Sequence, residues 1–166
     1  LAYAEALRTE ALLRLEAGQG TALESPTVFF GGGTPSLWEP DALGLLLREL
    51  IHRLGPFREV TVECNPSSLH SERLRSLREH GVSRLSVGVQ SLQDRHLRYL
   101  GRMHDADGAR RALETVLHAG GFRLSADLMF GMPAQTSREL EADLEQLLAL
   151  GIRHLSLYAL TIEAQT

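Results

Sequence analysis

Short runs rich in β-branched and aromatic residues alternate with longer amphipathic segments along the whole chain, and this order limits the possible folds. Five runs have the length and composition of strands: residues 27–30, 59–64, 84–89, 123–130 and 154–159. Strands that alternate with helices through short connections are predicted to be parallel and joined by right-handed crossovers. The fold class is therefore α/β, either as an open doubly wound sheet or as part of a closed parallel (β/α) barrel.

The segments between the strands have the periodicity of helices that bury one face. The clearest apolar face, at three- and four-residue spacing, consists of Leu43, Leu46, Leu47, Leu50, Ile51 and Leu54. A second face consists of Leu140, Leu144, Leu147 and Leu148. It follows Thr136 and Glu139, which have the spacing of a capping box. Two further helices are predicted to end at Gly81 and Gly120, and residues 1–17 are predicted to form an Ala-rich helix.

Composition excludes several kinds of chemistry. All 17 basic residues are arginine, so the chain has no amine for a Walker-type phosphate loop, a pyridoxal-phosphate site or a Schiff base. Its one cysteine, Cys64, excludes internal disulfides and any cluster held by several thiolates of these residues. The net charge of −4, without a basic block, argues against nucleic acid as a partner. No membrane span or signal peptide is predicted, so we expect a cytoplasmic protein.

Three consecutive predicted strands carry polar residues where a parallel sheet should be apolar on both faces. Within each strand these residues occupy every second position: Thr61 and Glu63, then Ser86, Gly88 and Gln90, then Ser125 and Asp127. Because side chains alternate between faces, Glu63, Gln90 and Asp127 are predicted to project together near the carboxyl ends of their strands. Such ends bind ligands in parallel α/β folds, so the pattern predicts a pocket for a polar, hydroxyl-bearing ligand. The alternative is that each residue caps a neighbouring loop.

The first predicted strand runs directly into a glycine loop, Phe30-Gly31-Gly32-Gly33-Thr34-Pro35. Three residues without a β-carbon allow the backbone to approach a ligand closely, although flexible turns use the same residues. Arg102, between two predicted helices, has a guanidinium suited to binding a carboxylate through two hydrogen bonds, and its alternative is a solvated surface position. We interpret Cys64 as a small packed side chain, because it shares the parity of Val60 and Val62.

Several segments together resemble the radical S-adenosylmethionine (radical SAM) family: FFGGGTPS, VTVECNPSSL, RLSVGVQSL, LGRMH, SADLMFGMPAQT and LSLYALTIEAQT. The resemblance implies a partial barrel whose 4Fe-4S cluster gives one electron to SAM and splits it into methionine and a 5′-deoxyadenosyl radical. It also implies the cofactor-binding residues, which are Gly32, Gly33, Thr34, Glu63, Gln90, Arg102 and Asp127. No catalytic residue and no metal ligand is assigned within these positions.

The resemblance is strongest to proteins related to oxygen-independent coproporphyrinogen III oxidase, and within them to the haem-chaperone branch. Residues 158–163 read YALTIE, as in that branch, where true oxidases tend to read YAHLP, and Ala164 departs from a usual proline. A role in porphyrin or haem metabolism follows, with SAM and a porphyrin or haem as partners. The alternatives are a haem-binding module without radical chemistry, and an ordinary barrel enzyme that uses a phosphorylated substrate.

The family's CxxxCxxC loop is the main departure, since these residues contain one cysteine. The resemblance therefore implies that residues 1–166 are a single core fragment, truncated at both ends, with five strands present and the first strand and cluster loop missing. The cluster ligands would lie outside these residues. We expect a radical SAM oxidoreductase-like protein whose core fragment alone is inactive.

Overall fold

Five parallel strands form one sheet in the computed structural model, which describes residues 2–18 and 25–162. The strands are β1 (Thr27–Phe30), β2 (Glu59–Cys64), β3 (Arg84–Gln90), β4 (Arg123–Phe130) and β5 (His154–Ala159). The helices are α1 (Ala2–Glu16), α2 (Pro40–Leu54), α3 (Ser71–Glu79), α4 (Asp94–Tyr99), α5 (Ala106–Ala119) and α6 (Ser137–Ala149). Two short 3₁₀ helices, Pro35–Leu37 and Pro66–Ser68, follow β1 and β2.

The strands pair in the order in which they occur along the chain. Each of β2, β3 and β4 lies between its two chain neighbours, and β1 pairs only with β2 among the described strands. This sequential order is that of a parallel (β/α) barrel rather than of a doubly wound sheet, in which the order reverses. The predicted α/β class is confirmed, and the described strands form about half of a barrel.

The apolar core lies between the sheet and the helices that cover one of its faces. On the sheet it contains Val60, Val62, Leu85, Val87, Val89, Ala126 and Leu128, all buried. From the helices it receives Leu43 and Leu47 of α2, Leu113 of α5 and Leu147 of α6. The polar side chains of the same strands lie on the opposite face of the sheet, as the alternation predicts.

Two helical faces are narrower than their spacing predicted. Ile51 of α2 and Leu148 of α6 are 38% and 47% exposed, so both are wrongly assigned to the core by the periodicity. Each lies about 100° around its helix from the preceding residue of the stripe, and a helix that packs on one side of a sheet leaves that direction to solvent. On α6 the buried positions are Leu147, as predicted, and a carboxylate, Asp143, which the apolar spacing did not include.

Local signals account for the helix boundaries. The predicted capping box is present at α6, where the Thr136 side chain accepts from the Glu139 backbone and the Glu139 side chain accepts from the Thr136 backbone. Asp105 caps α5 by accepting from the amide of Gly108. Across residues 2–18 and 25–162, the helices lack the length and continuous apolar character that a membrane-spanning helix needs.

Candidate functional site

A cavity of about 230 Å³ lies at the carboxyl ends of the strands, on the polar face of the sheet. Its walls are formed by Gly33, Thr34, Glu63, Cys64, Asn65, Ser86, Gly88, Gln90, Arg102, Asp127 and Tyr158. Six of the seven predicted cofactor-binding residues are among them. The seventh, Gly32, donates a backbone hydrogen bond to Glu63. The structure thus brings the predicted set together around one surface, while its role in binding a cofactor stays a prediction.

The glycine loop is held in place by Glu63. Its Oε2 accepts a hydrogen bond of 2.9 Å from the backbone nitrogen of Gly32. Gly32 and Gly33 have φ angles of +82° and +61°, in the left-handed region that L side chains rarely adopt. Because Glu63 Oε1 takes part in no hydrogen bond among the described residues, it keeps its capacity to accept from a ligand.

A pair of buried hydroxyls ties the glycine loop to the loop that follows β2. The Oγ atoms of Ser36 and Ser68 lie 2.7 Å apart, and Ser36 Oγ also accepts from the backbone nitrogen of Asn65 at 3.3 Å. Sequence reasoning missed these residues. The signal available was their presence in two of the family-like segments, FFGGGTPS and VTVECNPSSL, which meet in space because β1 and β2 are neighbours.

Gln90 reaches the cavity through an unusual backbone conformation. Its φ angle is +68°, the pairing of β3 with β4 shifts register between Gly88 and Gln90, and Ser91 N donates to Val89 O at 2.8 Å across a three-residue turn. The side-chain amide lies against Gly88, where an added Cβ would come within 2.8 Å of Gln90 Nε2. Gly88 therefore makes the space that the amide occupies.

Asp127 lies half-buried in a network of hydroxyl groups. Ser86 Oγ is 3.1 Å from both of its carboxylate oxygens and 3.0 Å from Ser125 Oγ, which in turn accepts from Arg84 Nη2 at 3.1 Å. Burial raises the pKa of Asp127 above its ordinary value, and the hydroxyls of Ser156 and Ser86 oppose that shift by hydrogen bonding. These two hydroxyls leave acceptor capacity on the carboxylate oxygens for a ligand's own hydroxyl groups.

Arg102 lies in the segment between α4 and α5 and lines the cavity from the side. Within the described residues its guanidinium takes part in no hydrogen bond or ion pair, so its five donors remain available to a ligand. The charge of the Arg102 guanidinium is opposite to that of the Glu63 and Asp127 carboxylates. The cavity is therefore suited to a molecule that carries both a carboxylate and positively charged or hydroxyl groups. Tyr158 of β5, which sequence reasoning did not select, completes the wall.

The cavity contains donors and acceptors but no activated nucleophile. Burial raises the pKa of the Cys64 thiol to about 12, so the sulfur is protonated at neutral pH and packs as predicted. Within the described ranges, no group of three or more His, Cys, Asp or Glu side chains is placed to hold a metal ion. The donors and acceptors of these side chains can form hydrogen bonds with a polar molecule.

Comparisons with known proteins agree on one family. Residues 3–147 match the family described as the radical SAM superfamily. The chain is 38% identical over 143 residues to the haem chaperone HemW of Haemophilus influenzae, covering 84% of this chain and 37% of that protein. It is 44% identical over 164 residues to the mitochondrial radical S-adenosyl methionine domain-containing protein 1 of Mus musculus, covering 96% of this chain and 36% of that protein.

Two solved structures have a similar fold. Coproporphyrinogen III oxidase (HemN) of Escherichia coli, described as a radical SAM enzyme, superposes with a TM-score of 0.79 at 25% identity, covering 96% of this chain and 37% of that one. The archaeal Elp3 of Methanocaldococcus infernus superposes with a TM-score of 0.76 at 16% identity, covering 96% and 42%, and shows the fold alone. The chain spans little more than a third of the length of the curated relatives described above.

Proposed function

This chain belongs to the radical SAM superfamily, and from that premise we propose that its cavity binds S-adenosylmethionine. The observation that carries the proposal is the convergence of the family-matching residues on one cavity from five separate parts of the chain. They come from the glycine loop, from the ends of β2 and β3, from β4 and from the α4–α5 segment. Residues that cap unrelated loops would have no reason to face one another in this way.

The donor set fits the chemistry of S-adenosylmethionine. Arg102 would bind the carboxylate of the methionine moiety with two parallel hydrogen bonds. The free oxygen of Glu63 would accept from the amino group next to the glycine backbone, and Asp127 would accept from the ribose hydroxyls. Gln90 has both a donor and an acceptor for the remaining polar groups. When bound, S-adenosylmethionine supplies a sulfonium whose carbon–sulfur bond is cleaved after a one-electron reduction.

An iron–sulfur cluster does not fit these residues in the same way. A 4Fe-4S cluster of this family needs three thiolates, whereas the sequence contains one cysteine, and its thiol is buried with a raised pKa. The proposal therefore assigns the cluster ligands to positions outside residues 1–166 and treats these residues as the core of a longer protein. On this basis the core alone is inactive, and its own residues bind and orient the cofactor.

The relatives extend the proposal to the role of the whole protein. HemW proteins are named haem chaperones, and HemN is named a coproporphyrinogen III oxidase. We propose a radical SAM protein of the haem-chaperone branch that acts in porphyrin or haem metabolism in the cytoplasm, with haem or a porphyrin as its partner. The identities of 38–44% to radical SAM and HemW relatives, against 25% to HemN, favour the chaperone branch.

The test uses the full-length protein, prepared anaerobically and reconstituted with iron and sulfide. Its affinity for S-adenosylmethionine is measured by calorimetry, and its iron content and cofactor cleavage are determined in the same preparation. Arg102→Ala should weaken binding by about tenfold or more, since a hydrogen bond to a charged group contributes roughly 1.5–3 kcal/mol. Arg138→Ala, on the exposed first turn of α6, is the matched control and should bind as the unmodified protein does.

Two results would contradict the proposal. A cluster-bearing protein that does not bind S-adenosylmethionine would remove its basis, and equal affinity in the Arg102 and Arg138 variants would remove the assigned contact. Stoichiometric haem binding without any cofactor binding would instead favour the haem-binding module without radical chemistry.

A further inference from the structure

Asp143 is a buried carboxylate that the cavity does not contain. It lies in α6, within the stripe otherwise formed by Leu140, Leu144 and Leu147, and is 1% exposed. A charged group that is this deeply buried in an apolar face is costly unless its hydrogen bonds are satisfied. Its position in the stripe therefore needs a reason other than helix packing.

The hydrogen bonds of Asp143 all go to the segment that directly follows Gln90. Its Oδ2 accepts from Ser91 Oγ at 2.8 Å and from Leu92 N at 3.0 Å, and its Oδ1 accepts from Gln93 Nε2 at 2.9 Å. Three bonds from one helix to three consecutive residues fix this segment relative to α6. The carboxylate thus holds the exit of the turn in which Gln90 is the central residue.

A second buried side chain holds the entrance of the same turn. His104 is 8% exposed, and its Nε2 lies 3.2 Å from the carbonyl oxygen of Val89. A carbonyl only accepts, so the imidazole donates from Nε2. The same carbonyl also accepts from Ser91 N at 2.8 Å. His104 therefore holds the peptide group that precedes Gln90, and Asp143 holds the Ser91 side chain and the Leu92 amide that follow it.

The turn needs this support because the left-handed region is unfavourable for a residue with a β-carbon. Such conformations persist only where the surroundings over-determine them, and they are concentrated at functional sites. If Gln90 relaxed to a negative φ, its amide would leave the place that Gly88 provides at the cavity wall. The position of the amide in the cavity is thus linked to the contacts that α6 and the α4–α5 segment make with the residues on either side of Gln90.

We propose that Asp143 is a positioning residue for S-adenosylmethionine binding, which acts by holding the Gln90 turn and has His104 as its counterpart at the other end of that turn. The inference rests on the proposed function, since it concerns affinity for the same cofactor. Asp143 itself does not touch the ligand, so its effect must pass through Gln90. This dependence separates a positioning role from a contribution to folding alone.

The experiment is a double-mutant cycle in the reconstituted full-length protein, with affinity for S-adenosylmethionine measured by calorimetry. Asp143→Asn should weaken binding roughly tenfold, within the range of couplings found between residues of one hydrogen-bond network. In a Gln90→Ala background the same substitution should change affinity by less than about twofold. Asp107→Asn, whose side chain on α5 is 74% exposed, is the matched control and should have no effect in either background. Thermal unfolding of each variant confirms that binding is measured on folded protein.

Each outcome decides between the alternatives. A loss of affinity for S-adenosylmethionine that occurs only when Gln90 is present supports the proposal. Equal losses of affinity in the Gln90 and Gln90→Ala backgrounds, or no loss in either, overturn it. If Asp143→Asn does not fold, Ser91→Ala replaces it, because that change removes one of the three bonds and is expected to show the same dependence on Gln90 with a smaller loss. If the unmodified protein fails to bind S-adenosylmethionine, the proposed function itself has failed, and this result differs from a cycle that binds but shows no coupling.

Discussion

Replacement of Asp127 by Asn separates the binding role of this carboxylate from its effect on stability. The substitution keeps the shape of the side chain and removes its charge, so Ser86, Ser125 and the sheet can stay as they are. Burial raises the pKa of Asp127, which means that the folded protein disfavours the ionised form. A group with a raised pKa contributes most to stability at low pH and loses that contribution as the pH rises through its folded-state pKa. Asp127→Asn is therefore expected to leave the melting temperature at neutral pH unchanged or slightly higher.

Ligand affinity should change in the opposite direction. Removing a charged partner from a buried hydrogen bond costs about 1–3 kcal/mol, which corresponds to a loss of about 5- to 150-fold in affinity. Because the carboxylate accepts from the ligand in its ionised form, affinity of the unmodified protein should fall as the pH decreases toward the raised pKa of Asp127. The Asn variant should lack this part of the pH dependence, since its amide does not titrate.

The assay is calorimetric titration of the full-length protein with S-adenosylmethionine at several pH values between weakly acidic and neutral. Subtracting the profile of Asp127→Asn from that of the unmodified protein removes the titration of the ligand itself. The exposed Asp107→Asn should reproduce the unmodified profile. Equal affinities, or identical pH profiles for the Asp127 variant and the unmodified protein, would refute the assigned contact and the reasoning from burial.

Three further outcomes are expected. Gly32→Ala should lower the free energy of unfolding by about 1–2 kcal/mol in urea denaturation. Because φ is +82° and an added Cβ would meet no atom within 4 Å, this loss comes from the backbone conformation. Gly32→Asn should lower the free energy of unfolding by less, and equal losses for the two variants would contradict this explanation. Reconstitution of the 166-residue chain should give no stable cluster by absorption spectroscopy, since Cys64 is its single thiol; a stoichiometric cluster would count against the proposal. Thr136→Ala should destabilise α6 by roughly 1 kcal/mol while Ser137→Ala changes little, as measured by thermal unfolding.

The strands and their polar face could be predicted from the sequence because both depend on local alternation. The bounds of β1, β2, β4 and β5 agree with the runs read from the sequence, and β3 extends one residue further, to Gln90. Parity brought Glu63 and Asp127 to the same face without any tertiary information. The barrel-like strand order needed the structure or the family resemblance, since periodicity does not distinguish the two arrangements.

The turn at Gln90 could not be predicted from the residues alone. Alternation placed this side chain at the cavity, but the residues on either side of its left-handed backbone are hydrogen-bonded to His104 and Asp143, which are 14 and 53 residues from Gln90 along the chain. Asp143 was a visible signal, being one carboxylate within a leucine stripe. Its meaning depended on which loop the helix would cover, and that is a property of the assembled fold.

The pairing of each strand with its chain neighbour determines the order in which the binding surface can be completed during protein synthesis. The sheet can extend as each new strand emerges, because every described strand pairs with a neighbour in chain order. A nascent chain that ends after β3 already carries Glu63 and Gln90, yet it lacks Asp127 and the Asp143 carboxylate that holds the Gln90 turn. Three of the five described strands can thus be paired before all the residues of the proposed site have been synthesised.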